Sequence, residues 1–258
     1  MEWLQITELL KNKLKVINKI FYHLGSLFIL NILPFFLLSQ NVNLKFQNKV
    51  GDFPLILDSV KYVNELNQDF TISKFKYYIS NISFENTNGT QTAPSTSFLI
   101  DQEDSLSHSI NSISIPSGIY SSIEFILGVD SLHNVSGSQT GDLDVVNAMF
   151  WTWNSGYIFM KLEGNSSFSN SPGHFFEYHI GGFKEPFNAI RKIKLTFDQP
   201  IEVSKHKLTD ILINVNVLEI LQNPNSIDFT KTSSILEPHQ INKISDNYVD
   251  IFSIKNIR

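Results

Sequence analysis

The chain contains no cysteine, which excludes disulfide bonds and thiolate metal ligands throughout its 258 residues. An exported domain of this size can bury enough apolar surface to fold without disulfides, so this absence does not argue against export. Any bound metal ion must instead be held by nitrogen or oxygen atoms, or by the sulfur of one of the three methionines.

Basic residues are also few. Lysine and arginine together number 20, they form no run, and the formal net charge of the chain is −5. A nucleic-acid surface needs clustered cations to neutralise phosphates. The composition therefore argues against a nucleic-acid partner.

The first forty residues have the order of a secretory signal. Four lysines between positions 11 and 19 precede an apolar stretch at 24–38, and Ser39 and Gln40 follow it. The stretch has about 15 residues, fewer than the ~20 that a membrane-spanning helix needs. We expect residues 1–40 to be a cleaved signal peptide, with an uncleaved N-terminal membrane segment or a mis-assigned start as the alternatives. After cleavage we expect no stable membrane span.

Helical periodicity is scarce after residue 40, where apolar and polar side chains mostly alternate with period two. This alternation predicts strands at 42–47, 70–84, 97–101, 109–115, 121–129, 157–163, 175–180, 190–197 and 209–221, and a short helix at 241–252. Turn signals such as Asn88-Gly89 separate the strands. The pattern predicts one all-β domain at 41–258, an antiparallel β-sandwich of Greek-key or immunoglobulin-like type with long loops and at most short helices.

The segment 150–164 holds two of the three tryptophans and is flanked in sequence by His133, His174 and His179. Imidazole is the commonest metal ligand and a proton carrier near neutral pH. The preceding stretch, 131–153, is long and polar, and long ordered loops in compact domains are usually functional. The spacing of the histidines matches no local metal motif, so a hydrogen-bonded structural histidine is an equally good interpretation of each one.

Trp151 and Trp153 share one face if their segment is extended. They are interpreted either as core packing or as rings that cover a ligand or undergo oxidation. The nearby Asp142 and Asp144 offer oxygen ligands for calcium, but their spacing does not match an EF-hand, and solvated loop acids are the alternative. No Gly-x-Ser-x-Gly motif is present to nominate a nucleophile, and we expect no enzymatic activity.

Three sequence blocks carry a family resemblance. They are Gly128-Val129-Asp130-Ser131 followed by His133, then Trp151-Thr152-Trp153-Asn154-Ser155-Gly156-Tyr157, then His179-Ile180-Gly181-Gly182. In this order they resemble the MbnP-like domain family, bacterial exported proteins related to the copper-binding partner of methanobactin systems. The segment 75–82 resembles an early strand of that family, and the resemblance spans about 42–252.

The resemblance implies a β-sandwich that binds a copper ion through two histidines, assisted by a kynurenine that a di-haem enzyme of the cytochrome c peroxidase type makes from tryptophan. His133 matches the first of these histidines and His179 the second, with Asp130 or His174 as auxiliary donors. In the copper-binding relatives the oxidised tryptophan lies close to the first histidine, whereas Ser131 and Leu132 precede His133 here. Trp151 and Trp153 are the remaining candidates for oxidation, and a kynurenine is a secondary expectation.

The resemblance therefore predicts an exported, non-enzymatic copper-binding protein of the periplasm or of the outer-membrane or cell surface, with a di-haem enzyme as partner. Two other interpretations remain open. One is a docking protein for a redox enzyme, in which oxidation of tryptophan is the relevant chemistry. The other is a metal-independent surface β module that binds a partner through the same loop.

Overall fold

The computed structural model describes residues 40–86, 88–93, 96–137, 139–152, 154–204, 207–236 and 242–258. Apart from Gln40, the predicted signal peptide lies outside these residues. Within them, no helix has the length and apolar character needed to cross a membrane.

Strands make up most of the regular structure. They are β1 (Gln40–Val50), β2 (Phe53–Pro54), β3 (Tyr62–Val63), β4 (Asp69–Asn86), β5 (Gly89–Thr92), β6 (Ser97–Asp101), β7 (Ser109–Ile115), β8 (Gly118–Leu127), β9 (Phe150–Thr152), β10 (Gly156–Asn165), β11 (Phe175–Gly181), β12 (Arg191–Val203), β13 (Thr209–Asn216), β14 (Ser234–Ile235) and β15 (Phe252–Ile257). The α-helices among the described residues are α1 (Ser131–Val135) and α2 (Asn242–Asn247), and short 3₁₀ turns occur at Gly141–Leu143, Val145–Asn147, Pro172–His174 and Val217–Leu221.

The strands form two sheets. The smaller runs β15-β13-β1-β2, with β7 also paired to β1. The larger runs β12-β8-β4-β10-β11-β14, with β3, β5 and β6 on β4 and β9 on β10. Most pairs are antiparallel, which confirms the predicted all-β sandwich, and β1–β13 and β11–β14 pair in parallel. Sequence alternation reports which side chains are buried and leaves the direction of pairing open, so the parallel pairs were not anticipated.

The core lies between the two sheets because alternate side chains of each strand face inward. In β13 the burial alternates at every residue, as expected for a strand with one covered face. Tyr77 of β4 shows the contact between the sheets: its ring packs edge-on against Phe46 of β1 at 6.2 Å, and its hydroxyl donates to Asn48 at 3.0 Å. The inner face of the larger sheet is thereby defined by Tyr77 and by its neighbours on β10, Met160 and Leu162.

Strand β10 is buried on both faces over most of its length. One face packs into the core, and residues 130–137 and 139–149, here called the outer loop, cover part of the opposite face. This explains why alternation is weak in β10, since alternation requires one solvated face. It also places every candidate residue that comes before β9 on the outer side of the larger sheet.

The predicted strands are all found, with differences at their ends. The strand predicted at 209–221 stops at Asn216, whose side-chain oxygen accepts a hydrogen bond from the Gly51 amide at 2.8 Å, and a 3₁₀ turn follows. The helix predicted at 241–252 is shorter, because the chain turns into β15 at Phe252. Helix α1 was not predicted.

Candidate metal centre

Helix α1 begins because Asp130 caps it. The Asp130 backbone is extended, and its Oδ1 accepts a hydrogen bond from the His133 amide at 3.0 Å, the usual contact of an N-cap. The helix ends after one turn at Ser136, and Gly137 follows with φ of 78°, a conformation that glycine adopts without strain. These two signals fix a short helix that carries His133 at its centre.

The same aspartate also orients the imidazole of His133. Asp130 Oδ2 lies 2.7 Å from His133 Nδ1, and both side chains are mostly shielded from solvent. Burial alone would raise the pKa of Asp130, but the hydrogen bonds from the His133 amide and ring outweigh burial and lower it. Asp130 is therefore ionised at neutral pH and acts as an acceptor, which leaves Nε2 as the ring nitrogen of His133 without a hydrogen-bond partner among the described residues.

Asn134 fixes α1 to the sheet. It is only 1% exposed, its Nδ2 donates to the carbonyls of Val129 at 2.6 Å and Asp130 at 3.0 Å, and its Oδ1 accepts from the Tyr157 amide at 3.0 Å. A Cβ atom on Gly156 would lie 2.4 Å from Asn134 Oδ1, so glycine is needed there for this close approach. The position of His133 relative to β10 is thereby set by the residue that follows it.

The rest of the outer loop is held down by buried polar side chains of the sheet. Tyr78 and Tyr157 donate their hydroxyls to the carbonyls of Asp142 at 2.8 Å and Leu143 at 2.7 Å, and burial raises the pKa of both tyrosines. Lys161, which is 8% exposed, donates to the Ala148 carbonyl at 2.7 Å. Burial lowers the pKa of Lys161. These contacts anchor the loop through its backbone rather than through its own side chains.

His179 lies on β11 and faces the outer side of the larger sheet. Its Nε2 lies 2.7 Å from Glu163 Oε1 of the neighbouring strand β10. The hydrogen bond from His179 lowers the pKa of Glu163 against the opposing effect of burial, with a smaller contribution from Lys74. Glu163 is therefore also an ionised acceptor at neutral pH, and Nδ1 is the nitrogen of His179 that has no hydrogen-bond partner among the described residues.

Lysines surround this second pair. Lys74 Nζ lies 3.6 Å from Glu163 Oε2, and Lys161 Nζ lies 4.0 Å from Glu163 Oε1. By contrast, the sequence between 125 and 160, which contains the Asp130–His133 pair, has no lysine or arginine. The two histidines therefore differ in the charged residues of their own chain segments.

Trp151 lies on the same face of β11 as His179. A Cβ atom on Gly181 would lie 2.8 Å from the Trp151 ring, which therefore lies directly over this glycine. Gly181 is two residues after His179 on β11, so both positions point to the outer face. Trp151 is partly buried against the core, consistent with the packing interpretation. Trp153 lies outside the described residues.

His174 occupies the opposite end of the strands. It lies in the turn between β10 and β11, its carbonyl accepts from the Ser166 amide at 2.9 Å, and its Nδ1 lies 2.9 Å from the Ser169 carbonyl. Eight residues of β10 separate Tyr157, where α1 docks, from Asn165, or roughly 25 Å at the usual strand rise. His174 is thus too distant to share an ion with His133.

The structure does not bring the remaining predicted ligands into one cluster. His179 pairs with Lys161, four residues along β10 from Tyr157, a backbone separation of about 13 Å from the docking position of α1. No group of three or more histidine, aspartate or glutamate side chains among the described residues is arranged to hold a metal ion. Asp142 and Asp144 accept hydrogen bonds from the backbone amides of Leu99 and Val146, which accounts for them without calcium.

The protein is a two-sheet β-sandwich, and its larger sheet carries a histidine-bearing loop on the outer side. This chain belongs to the MbnP family, whose model matches residues 39–240. Among solved structures it is similar to MbnP from Methylosinus trichosporium, with 12% identity over 76% of this chain and 80% of that chain and a TM-score of 0.48. No curated protein matches it. The predicted family is confirmed.

Sequence reasoning missed the role of Asn134, the contact of Lys161 with the loop and the pairing of Glu163 with His179. The α1 signal was present in the sequence, as Asp130 followed by Gly137 seven residues later. The Glu163–His179 pair had no such signal, because the residues lie 16 positions apart and meet only through strand register.

Proposed function

We propose that this protein is an exported copper-binding protein without enzymatic activity, in which His133 and His179 are the imidazole ligands. Sharing one ion would require movement of the outer loop to close the backbone separation of about 13 Å between their positions on the sheet. The observation that carries the proposal is that each imidazole has a carboxylate partner at 2.7 Å on one nitrogen and keeps the other free of hydrogen bonds among the described residues. Metal-binding histidines usually have such a partner. Imidazole nitrogen suits copper and zinc alike, and copper is preferred to zinc in the general order of affinities.

His133 is the stronger of the two ligands in this proposal. The segment 125–160 that carries it contains acids and no lysine or arginine, and Asp130 lies 2.7 Å from its ring, which favours a cation there. The Glu163 that faces His179 already interacts with two lysines. Copper binding at His179 must therefore act against nearby positive charge, and its contribution to affinity is the smaller one.

Calorimetric titration with copper tests this proposal on the purified protein. We expect about one equivalent bound, the largest loss for His133→Ala, a smaller loss for His179→Ala and no change for His174→Ala, which serves as the matched control. No saturable uptake by the parent protein, or parent-like binding by both of the first two variants, would contradict the proposal. Two equivalents of different affinity would show that the histidines do not share one ion.

A second candidate function is docking of a di-haem enzyme that oxidises tryptophan. The outer loop favours it, since Leu132 and Val146 are 72% and 81% exposed, and Val135 and Val145 are exposed as well. Gln139 Nε2 donates to the His133 carbonyl at 2.9 Å, and the backbone of Gln139 pairs with that of Asp144. Helix α1 and the 3₁₀ turn at Val145–Asn147, which carry these apolar side chains, are thereby held together. Exposed apolar groups with acidic neighbours are suited to a partner with a basic rim.

Peptide mass spectrometry separates this candidate from the first. Oxidation of a peptide that contains Trp151 or Trp153, dependent on a co-expressed di-haem peroxidase-type enzyme, would support it. Unmodified peptides after co-expression would contradict this candidate and would favour the copper proposal or a metal-independent surface module.

A further inference from the structure

We propose that Asn88 is a site of spontaneous chemical modification, at which the folded protein converts the side-chain amide into a carboxylate through a cyclic imide formed with Gly89. Asn88-Gly89 is the only asparagine-glycine step in the chain, and it lies where β4 ends and β5 begins. This hairpin is separate from the proposed copper site. Asn86, the last residue of β4, is eight residues along the strand from Tyr78, which contacts the outer loop, or roughly 26 Å at the usual strand rise.

The reaction needs only the two neighbouring residues and water. The backbone nitrogen of Gly89 gives its proton to water or hydroxide and attacks Cγ of Asn88. A bond forms between these two atoms, the Cγ–Nδ2 bond breaks, and Nδ2 takes up a proton and leaves as ammonia. Water then opens the five-membered imide at either carbonyl, which yields aspartate or isoaspartate at position 88. No atom is oxidised or reduced, and no partner protein is required.

Glycine at position 89 lets the two reacting atoms approach each other. It has no Cβ to crowd its amide nitrogen, and its φ of 114° is a conformation that glycine adopts without strain. A Cβ atom built on Gly89 would meet no atom within 4 Å, so the space beside the reacting bond is open. Asn88 is itself exposed, which gives water access to Cγ and to the imide.

The Asn88 side chain is also less restrained than those of comparable asparagines. Among the described residues no hydrogen bond holds it, and the Asn88 backbone amide donates to Asn86 Oδ1 at 2.7 Å. Seven other asparagines precede alanine or serine, and at each of them the side-chain amide or the following backbone amide donates a hydrogen bond: Asn111, Asn147, Asn154, Asn165, Asn170, Asn188 and Asn225. At those positions the imide can form only after a hydrogen bond is broken.

The pairing of β5 leaves the Gly89 amide accessible. Gly89 lies opposite Asn86 in the last pair of the hairpin, and β5 is a strand of four residues that pairs only with β4 among the described residues. Pairs at an exposed end of the sheet open at little cost in free energy. Opening this one pair frees the amide for attack, while β4 stays in the sheet through β8 and β10.

The product differs from the parent in charge and in the length of its backbone. Each conversion adds one negative charge to the formal net charge of −5. Isoaspartate also places an additional methylene group in the main chain, which disturbs the register between β4 and β5. We expect the change to stay within the hairpin, because no other strand among the described residues pairs with β5.

Ageing of the purified protein tests the proposal. At mildly alkaline pH and physiological temperature, ion-exchange separation should reveal a more acidic species that increases with time. Peptide mass spectrometry should place the change from amide to acid at Asn88. Asn170, which is also exposed and precedes serine, is the internal control and should remain unmodified while half of Asn88 is converted. Asn88→Gln is the matched variant and should not form the acidic species, because its longer side chain would have to close a larger ring.

Two results would overturn the proposal. Equal rates of conversion at Asn88 and Asn170 would show that neither the glycine nor the free side chain confers reactivity. Conversion of Asn88 in urea but not in the folded protein would show that the hairpin keeps Cγ away from the Gly89 nitrogen. Backbone amide spectra of the aged protein should change in β5 and at the end of β4, with β10 and β11 as in the parent.

Discussion

The two histidine regions differ in how the fold holds them. His133 lies on a one-turn helix of the outer loop. The loop is attached to the sheet because Asn134 accepts from the Tyr157 amide and because the side chains of Tyr78, Tyr157 and Lys161 donate to loop carbonyls. His179 lies inside a strand, between partners on both sides of β11. The loop region is acidic and separable from the sheet, and the strand region contains lysines and is part of the sheet. A side chain on such a loop can change its position with the loop, whereas one in the strand is held by the sheet.

The largest expected effect is for Asn134→Ala. It removes the side chain that attaches α1 to β10 and takes away the partners of the Tyr157 amide and the Val129 carbonyl, while the Asp130 carbonyl keeps its bond from the residue 134 amide. This loss should lower the free energy of unfolding by about 3 kcal/mol. Denaturant unfolding measures the loss, and amide spectra should change in the outer loop while β11 stays parent-like. Equal changes at His133 and His179 would show that the two regions are not separable.

A smaller loss is expected from Gly181→Ala, which disturbs the strand region instead. The new Cβ would lie 2.4 Å from the Tyr157 carbonyl oxygen and 2.8 Å from the Trp151 ring, so something must shift. We expect a loss of about 1–3 kcal/mol with altered tryptophan fluorescence. Gly118→Ala, whose nearest contact would be an ordinary 3.5 Å, is the control. A parent-like Gly181→Ala would contradict the packing of Trp151 on β11.

The pH dependence of stability should also distinguish the strand pair. Because the pKa of Glu163 is lowered in the folded state below its usual 4.5, its contribution is present above that pH and is lost as the pH falls through the folded-state value. Unfolding midpoints between pH 6 and pH 3 should therefore decline less steeply in Glu163→Gln than in the parent. Identical slopes would remove Glu163 from the groups that confer acid sensitivity.

The smallest effect belongs to the exposed side chains of the outer loop. Val146→Ser changes a residue that is 81% exposed, and its effect on stability should stay within about 0.5 kcal/mol. Copper binding should be unchanged too, since Val146 is not a ligand in the proposal. If Val146→Ser nevertheless reduces oxidation of Trp151 by a co-expressed enzyme, the loop is a docking surface as well as a ligand support.

The contrast between the regions also explains which features could be predicted from the sequence. The nine predicted strands follow from period-two alternation, which one covered face imposes on a strand whatever its neighbours are. Helix α1 was missed because a single turn leaves no helical periodicity, although Asp130 and Gly137 mark its ends. Strand β10 was placed correctly, but its second covered face is a property of the outer loop packed on it.

By itself, the sequence determined the sandwich class, the family and the candidate histidines, because these depend on local patterns and on residue types in a fixed order. Only the tertiary structure decided which residues meet. It paired His179 with Glu163 through strand register, attached Asn134 to Tyr157 and placed His174 at the far end of the sheet. Such contacts join positions far apart in the chain, and alternation fixes the face of a strand but not its partner or register.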